Sequence, residues 1–457
     1  MNSSNQKLSF LEKFGFGAGD LSINVVVYSL FSLLLFFQTD VFGITAAQAG
    51  MIGLVVRWFD AFLDISMGVI TDKYTTRWGR YRPYLLWFAI PYGFSILLLY
   101  TTPSFTSASS KLIWAYATYA FTMVMFTAVV IPYISLPGVI TDSTKDRLSA
   151  NGYRLFMAKV GAFALMSVPL LVQRWGGDNP ARGYQMVMGL MSVVATGLLL
   201  FCFFTTKERV QHVVDKTPLW AQFKLLLRND QWLILAGVCV IGTIGYVART
   251  GTAPYYAKYF LGGDGKIQSI FLYASAISPI AAMVASTWLT KYICKIQLFR
   301  WSQMLAVLLS VAMFFFVKPG NVMLGCVFFY VIFFVVDLHA PIFWSIISES
   351  IDYGAVKTGK RVSGLAYGGI SFFQKVGGGI ATAVVGGVLT LCHYVPNQAQ
   401  SDHTLQMIAL STAVIPAFFS LLMGGLMFWY KINDKYYHAM MSSKSTTPDV
   451  NAATAKA

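Results

Sequence analysis

Residues 51–70 read MIGLVVRWFDAFLDISMGVI, an apolar stretch of membrane-spanning length that nevertheless carries Arg57, Asp60 and Asp64. Spacings of three and four residues place these charges on one face of a helix. A charge at membrane depth costs roughly 2.5–3.5 kcal/mol on insertion scales, and such residues usually have a functional role. Two carboxylates with one guanidinium leave a net negative site, which predicts cation binding. A neutralised structural ion pair with one spare acid is the alternative.

Similar apolar stretches recur along the whole chain of 457 residues, which is 56% hydrophobic and 12% charged. A helix of about 20 apolar residues crosses a hydrocarbon core of roughly 30 Å. The stretches are continuous rather than alternating, which favours helices over a membrane barrel. We therefore predict an all-α membrane protein with twelve transmembrane helices, near residues 14–39, 46–71, 83–102, 112–140, 152–172, 184–204, 232–260, 267–289, 298–316, 322–350, 362–391 and 405–430.

The formal net charge of +15 is distributed unevenly between the predicted loops. Loops on one side carry basic clusters within 73–82, 145–147, 207–228, 291–300 and 357–361. The opposite loops carry only Lys111, Arg174, Arg182, Lys258, Lys266 and Lys318. This asymmetry follows the positive-inside rule and predicts that both termini lie in the cytoplasm. The net positive charge therefore indicates how the chain is oriented in the membrane, and no nucleic-acid partner is expected.

The longest polar interval between spans follows the sixth predicted helix. We predict an N-terminal six-helix bundle at 1–204, a cytoplasmic central loop at 205–231, a C-terminal six-helix bundle at 232–430 and a disordered cytoplasmic tail at 431–457. Within the central loop, the stretch from Leu219 to Leu227 has helical periodicity and is expected to lie along the membrane surface. Two bundles of six helices around a basic loop resemble the major facilitator fold, whose substrate sites lie between the halves.

The chain carries no sequence motif of an enzyme or of an ATP-driven pump, such as a Walker loop, HExxH or GxSxG. Its five cysteines have no paired spacing, so neither a disulfide framework nor a zinc site is predicted. We therefore expect a non-enzymatic protein without a cofactor.

The loop after the second span reads DKYTTRWGRYRP from Asp72 to Pro83. An acid, a basic cluster and a glycine in a tight loop are expected to hold helix ends together in one conformation and release them in another. Asp72, Arg77, Arg80 and Arg82 are the residues assigned to this gating loop. Its basic residues also serve as a topology anchor, which does not exclude the first role.

The string from Arg57 through Asp60 and Asp64 to the RWGRYRP motif resembles the glycoside–pentoside–hexuronide:cation symporters, the group that includes melibiose permease. Further matching segments are Thr39-Asp40-Val41-Phe42-Gly43, Ile131-Pro132-Tyr133 and Asp352-Tyr353-Gly354. The resemblance covers nearly the whole chain, in order and at matching spacing. It implies a cation-coupled carrier of the bacterial inner membrane.

The resemblance also implies roles for individual residues. Asp60 and Asp64 match the paired acids that bind the coupling cation, and Thr127 matches a hydroxyl that completes their site. Lys375 matches a lysine that reaches toward the acids from the second half. Arg154 matches an arginine near the sugar, and Trp344 an aromatic that helps close the cavity. Asn24 stands where melibiose-type members have a sugar-binding aspartate. Asp20, four residues earlier, is either an interfacial acid or part of the same face.

Three positions depart from the melibiose-type or sodium-using pattern, namely Leu63, Val130 and Ile134. Leu63 and Val130 offer no oxygen, whereas a hard cation such as Na⁺ takes on the order of six oxygen ligands. A proton needs only one carboxylate, and two acids close together in a poorly hydrated site favour holding it. The sequence therefore favours H⁺ as the coupling ion, with Na⁺ at Asp60, Asp64 and Thr127 as the alternative.

The second half contains further charges within its spans, including Arg249 and Asp337. These two are either a structural pair, or Arg249 binds an anionic sugar, because a guanidinium pairs bidentately with a carboxylate. Hydrogen-bonding groups at Ser371, Gln374 and Lys375 suit hydroxyl-rich ligands.

We therefore expect symport of a glycoside, pentoside, hexuronide or small oligosaccharide into the cell by a monomer in the lipid bilayer. A lysolipid carrier of the same fold and a non-transporting sugar sensor are the alternatives.

Overall fold

The computed structural model describes residues 7–105, 107–141, 143–210 and 219–446. Among these residues the regular structure is helical, apart from one isolated bridge between Thr76 and Gly79. The helices of the first half are α1 (Phe10–Val41), α2 (Ala46–Lys73), α3 (Arg82–Leu99), α4 (Ala108–Ile140), α5 (Thr144–Met166, continued by Val168–Gly176) and α6 (Pro180–Thr205).

A short helix, α7 (Leu219–Leu227), precedes the second half. The second half contains α8 (Asp230–Phe260), α9 (Gly265–Leu289), α10 (Lys295–Phe316), α11 (Val322–Thr358), α12 (Gly364–Leu391) and α13 (Asp402–Leu426). A final helix, α14, spans Asp434–Thr446. Eleven of these helices are long and apolar enough to cross a membrane, and α2, with 28 residues, is the further long helix that carries the acid pair. The predicted fold is confirmed.

Local sequence explains where several helices begin and break. Ser9 and Thr45 form capping boxes with Glu12 and Gln48, which satisfy the first backbone N–H groups of α1 and α2. The last part of α1 contains two π-helical turns, at Ser29–Leu33 and Phe37–Val41. Such turns occur often at functional sites, and these lie where α1 meets the other half.

Each half is packed mainly within itself, and three helix pairs join the halves. Within the first half α1 packs on α5 and α6, and within the second half α8 packs on α12 and α13. Across the halves, α2 packs on α12, α5 on α9, and α1 on α8. We call the side of the bundle that holds Phe10 and Thr446 the terminal side, and the opposite side the distal side.

Glycines of α2 and α12 allow a close approach between the halves. A Cβ added to Gly53 would lie 2.3 Å from Thr382 Cγ2, and one added to Gly386 would lie 2.4 Å from the Ala46 carbonyl oxygen. Larger side chains at these positions would therefore separate the two helices. Small residues allow this close packing in membrane proteins, where van der Waals contact drives helix association.

The structure differs from the prediction of a disordered tail after residue 431. Asp434–Thr446 form α14, and the Asp434 carboxylate pairs with Lys295 at 2.8 Å. The Tyr437 hydroxyl donates to Asp352 at 2.8 Å. These contacts come from residues distant in sequence, so the polar composition of the tail gave no sign of them. The predicted disorder of residues 447–457 lies outside the described residues.

Candidate functional site

The acid pair of α2 lies against a lysine from the other half. Lys375 Nζ lies 2.9 Å from Asp60 Oδ2 and 2.6 Å from Asp64 Oδ2. The Asp60 side chain is 2% exposed, whereas those of Asp64 and Lys375 are 17% and 16% exposed. The lysine therefore holds both acids across the boundary between the halves, and Asp64 is the more accessible of the two.

Thr127 of α4 lies on the other side of the two carboxylates. Its hydroxyl oxygen is 2.7 Å from Asp60 Oδ1 and 3.1 Å from Asp64 Oδ1. One hydroxyl has one proton and can donate to only one of these oxygens at a time. The second contact is favourable when that carboxyl is protonated and donates back, or when a cation lies between the oxygens. The structure thus brings together the four residues assigned to the cation site.

Glycines of α12 let this helix approach both α2 and α8. A Cβ added to Gly379 would lie 3.2 Å from Arg57 Cβ, and one added to Gly377 would lie 2.8 Å from the Val240 carbonyl oxygen. Because Lys375 lies two and four residues before these glycines, about one turn or less, the close approach places its ammonium group within reach of the acids.

Arg57 does not supply the counter-charge that its position on α2 predicts. Its Nε donates to the Tyr119 hydroxyl at 3.1 Å, and its guanidinium lies 4.2 Å from the centre of the Phe31 ring. The acids instead pair with Lys375, so the site in this conformation contains a cation of the protein itself. Sequence spacing identified the shared helix face but not the aromatic partners that turn Arg57 away.

A second polar cluster lies on α1 and α5. Asn24 Nδ2 donates to the Asp20 carbonyl oxygen at 2.8 Å and to Asp20 Oδ2 at 3.1 Å. Arg154 Nε lies 3.8 Å from Asp20 Oδ1, and the arginine side chain is 29% exposed. Asn24 and Arg154 are therefore joined through Asp20, which the sequence left undecided. The spacing of four residues between Asp20 and Asn24 was the available signal.

The other residues assigned to the sugar site are placed separately. Ser371, Gln374 and Lys375 share a face of α12, and Gln374 is exposed. Trp344 on α11 is 47% exposed and packs edge to face on Phe343. Among the described residues, no hydrogen bond, ion pair or ring contact joins Trp344 to Asn24 or Arg154.

Arg249 lies in the packed interior of the second half instead of on an accessible wall. The residue is 3% exposed, and its Nη2 donates to Ser310 Oγ at 3.0 Å. No ion pair joins Arg249 to Asp337 among the described residues. In this conformation the guanidinium is not available for bidentate binding of an anionic sugar.

The RWGRYRP loop is anchored by an acid that sequence reasoning missed. The Glu208 carboxylate, beyond the end of α6, accepts hydrogen bonds from the backbone N–H groups of Arg80, Tyr81 and Arg82 at 2.7–2.8 Å. Gly79 has φ +111°, and a Cβ there would lie 2.5 Å from the Glu208 carboxyl carbon. A left-handed turn against this carboxylate therefore requires glycine.

The arginines of this loop also bind within the first half. Arg82 Nη2 donates to the Phe203 carbonyl oxygen at 2.7 Å, and Arg77 stacks on Trp78. The side chain of Asp72 lies outside the described residues. The loop thus joins the ends of α2, α3 and α6 in this conformation, and its gating role stays a prediction.

On the distal side, Asp40 at the end of α1 joins the two halves. Its Oδ1 pairs with Lys258 Nζ at 3.0 Å and accepts a short hydrogen bond from Tyr259. Its Oδ2 accepts from Tyr394 at 2.6 Å, and its backbone carbonyl accepts from Asn397 at 2.7 Å. All four partners belong to the second half, so this cluster closes the distal side.

A second distal contact joins α5 to α9. Phe163 stacks on Tyr273 with ring centres 4.5 Å apart, and the Tyr273 hydroxyl lies 2.9 Å from Ser167 Oγ. The ion pairs described on the terminal side, in contrast, each join elements of one half, such as Glu12 with Arg209 and Lys357 with Asp230. The halves are therefore joined on the distal side and at the acid pair.

Two bundles of long helices, with charges of both halves meeting between them, define a membrane carrier. The sequence matches the family described as MFS/sugar transport protein over residues 15–434. It is 34% identical over 416 residues to the inner membrane symporter YicJ of Escherichia coli (strain K12), covering 90% of each chain. It is 33% identical over 438 residues to the putative glycoside/cation symporter YagG of the same strain, covering 95% of this chain and 94% of that one.

Among solved structures, that of a D-xylose-proton symporter aligns with a TM-score of 0.63 at 13% identity, covering 92% of this chain and 97% of that one, which supports the fold alone. The chain belongs to the glycoside–pentoside–hexuronide:cation symporter family of the major facilitator superfamily. It is a transporter and not an enzyme.

Proposed function

We propose that this chain couples the uptake of a glycoside to the entry of a cation at Asp60 and Asp64. The observation that carries the proposal is the bridge from Lys375 of the second half to both acids of the first half. A cation that neutralises the acids weakens this bridge and so changes the free energy of the contact between the halves. By linkage, a sugar that binds better in one arrangement changes cation affinity by the same factor.

We favour H⁺ over Na⁺ as the coupling ion. The site offers four carboxylate oxygens and the Thr127 hydroxyl, and the adjacent Leu63 and Val130 offer none. Two of the carboxylate oxygens already bind Lys375. Na⁺ would have to displace this ammonium group to gain enough oxygen ligands, whereas a proton needs one carboxylate and leaves the lysine within reach of the other.

Orientation follows from the distribution of basic residues. The terminal side holds the basic clusters of the loops, so we place it, with both termini, in the cytoplasm of a bacterial cell. The closed distal side then faces outward, and the described arrangement is one that opens toward the cytoplasm. In this arrangement Lys375 occupies the position of a cation between the two acids, as expected after cation release. A single chain contains both halves, so we expect a functional monomer.

The substrate class rests on the family and on the polar groups between the halves. Asn24 and Arg154 of the first half, with Ser371 and Gln374 of the second, offer the donors and acceptors that hydroxyl-rich ligands bind. The burial of Arg249 removes the main support for an anionic substrate, and a neutral glycoside or small oligosaccharide is favoured. A lysolipid carrier and a non-transporting sugar sensor remain the competing functions.

The experiment is uptake by purified protein in proteoliposomes, with an imposed pH or Na⁺ gradient and a panel of neutral glycosides, xylosides and uronides. We expect accumulation of a neutral glycoside driven by the pH gradient and insensitive to Na⁺. A strict Na⁺ requirement would overturn the choice of ion. Inhibition by lysolipids but by no glycoside would favour the lipid carrier, and binding without accumulation would favour the sensor.

A further inference from the structure

Helix α7 is not one of the long membrane-spanning helices, yet it has an apolar face that the described protein leaves uncovered. Trp220, Phe223 and Leu227 are spaced three and four residues apart, so they share one side of the helix. All three side chains are exposed, Trp220 by 65%. The rings of Trp220 and Phe223 stack with their centres 5.7 Å apart, which joins them into one aromatic surface. Such an apolar surface usually marks contact with a partner or a membrane.

The other side of α7 packs on the second half. Leu226 is buried and packs in a core to which α8, α11 and α12 contribute. A cavity beside this contact is lined by Leu225 and Asn229, at the end of α7, and by Lys360 of the loop before α12. Asn229 Nδ2 donates to the Ser350 carbonyl oxygen at 2.7 Å, which attaches this end to α11. The packing therefore determines which side of α7 faces away from the protein.

Basic side chains lie next to the apolar face. Lys224 follows Trp220 by four residues and Arg228 follows Lys224 by four, so the two cations form a stripe beside the aromatic rings. Lys224 Nζ lies 5.5 Å from the centre of the Trp220 ring. Lys360, which is exposed and lines the cavity, brings a third cation to the end of α7. Aromatic and basic groups are therefore neighbours on the uncovered part of this helix.

These three cations have no acid of the protein as a partner. Among the described residues, none of the three forms an ion pair, and the acids next to the cavity residues are paired elsewhere. Asp230 pairs with Lys357 at 2.6 Å, and Asp352 pairs with Arg361 at 2.9 Å. An anion from outside the protein would therefore meet positive charge that the described residues do not neutralise.

We propose that α7 is a docking surface for an anionic phospholipid, with the apolar face among the acyl chains and the headgroup phosphate at Lys224, Arg228 and Lys360. A helix with aromatic and basic sides lies in the membrane interface, where attraction to anionic lipid adds to the burial of apolar area. A lipid fits because α7 packs directly on the ends of the spanning helices α8, α11 and α12. A free phosphate ion would match the cations but would leave the apolar face uncovered.

The test measures binding of phosphatidylglycerol and phosphatidylcholine to the purified full-length protein in detergent by native mass spectrometry, which counts bound lipids. We expect tighter binding of phosphatidylglycerol, weakened about threefold to tenfold by each of Lys224→Gln, Arg228→Gln and Lys360→Gln. Lys291→Gln is the matched control, because this exposed lysine on the terminal side of the same half also has no ion pair among the described residues.

Three results would overturn the proposal. They are equal wild-type affinity for the two lipids, a loss in Lys291→Gln as large as in the three variants, and displacement of phosphatidylglycerol by an equal concentration of inorganic phosphate. The last result would indicate a site for the free ion.

A photo-crosslinking residue identifies what covers the apolar face in bacterial membranes. With Phe223→p-benzoylphenylalanine, we expect adducts that have the mass of a phospholipid. Adducts with another protein in place of lipid, or no adduct with either, would contradict a lipid-covered face. Neither experiment uses a sugar or a cation gradient, so their outcome is independent of whether the proposed glycoside transport is correct.

Discussion

Replacing Asp40 by asparagine should open the distal side. The carboxylate is 1% exposed and accepts from Lys258, Tyr259 and Tyr394 of the other half. Asparagine keeps one acceptor, loses the charge and brings an amide donor against these donors. Hydrogen bonds to charged groups contribute about 1.5–3 kcal/mol each. Lys258 is 27% exposed, so solvent weakens its share. If the closed distal side loses about 2–3 kcal/mol of stabilisation, the equilibrium between closed and open distal sides shifts toward the open one by roughly 30–150-fold.

Distances between spin labels at Arg182 and Lys318 measure this equilibrium, because these exposed residues lie on the distal ends of the two halves. The native cysteines are replaced first, and Asp178→Asn serves as the control for loss of an exposed distal charge. We expect Asp40→Asn to increase the population with long distances, and Asp178→Asn to leave the distribution unchanged. An unchanged distribution in Asp40→Asn, with the protein folded and labelled, would refute the assignment of Asp40 as the distal closure.

Three further predictions test separate parts of the structure. Gly79→Ala forces a Cβ into a left-handed turn against Glu208. We expect the free energy of unfolding to fall by about 1–3 kcal/mol, measured as a lower melting temperature. Alanine at the unobstructed Gly68 should have little effect. Lys375→Met leaves both acids without their counter-charge, so net uptake should fall while sugar exchange persists; equal loss of both rates would contradict a role in cation release. Gly386→Leu should separate α2 from α12, and residues at this contact should then be less protected from a chemical label. Unchanged protection would show that this packing is not needed.

The sequence predicted the fold, which is confirmed, and the centre of the candidate site, because charged residues are rare in membrane spans. Charged residues stand out against apolar spans, so Asp60, Asp64 and Lys375 could be recognised by their membrane depth and their family resemblance. The structure added the contact between them, which depends on how closely the glycines of α12 let it approach α2.

Partners distant in sequence could not be predicted in the same way. Glu208 binds backbone N–H groups more than 120 residues away, and a lone acid in a basic loop carries no periodic signal. Arg57 shares a face with the acids but binds Tyr119 and Phe31, which its own helix does not reveal.

The central claim, that Asp60 and Asp64 couple sugar movement to a cation, is tested most directly by uptake with Asp60→Asn and Asp64→Asn in proteoliposomes. Both variants keep the size of the side chain and remove one charge of the pair bound to Lys375. We predict that neither variant accumulates the glycoside against its gradient when a pH gradient is imposed, while sugar exchange down a gradient persists at least in part. Wild-type accumulation by both variants would contradict the account.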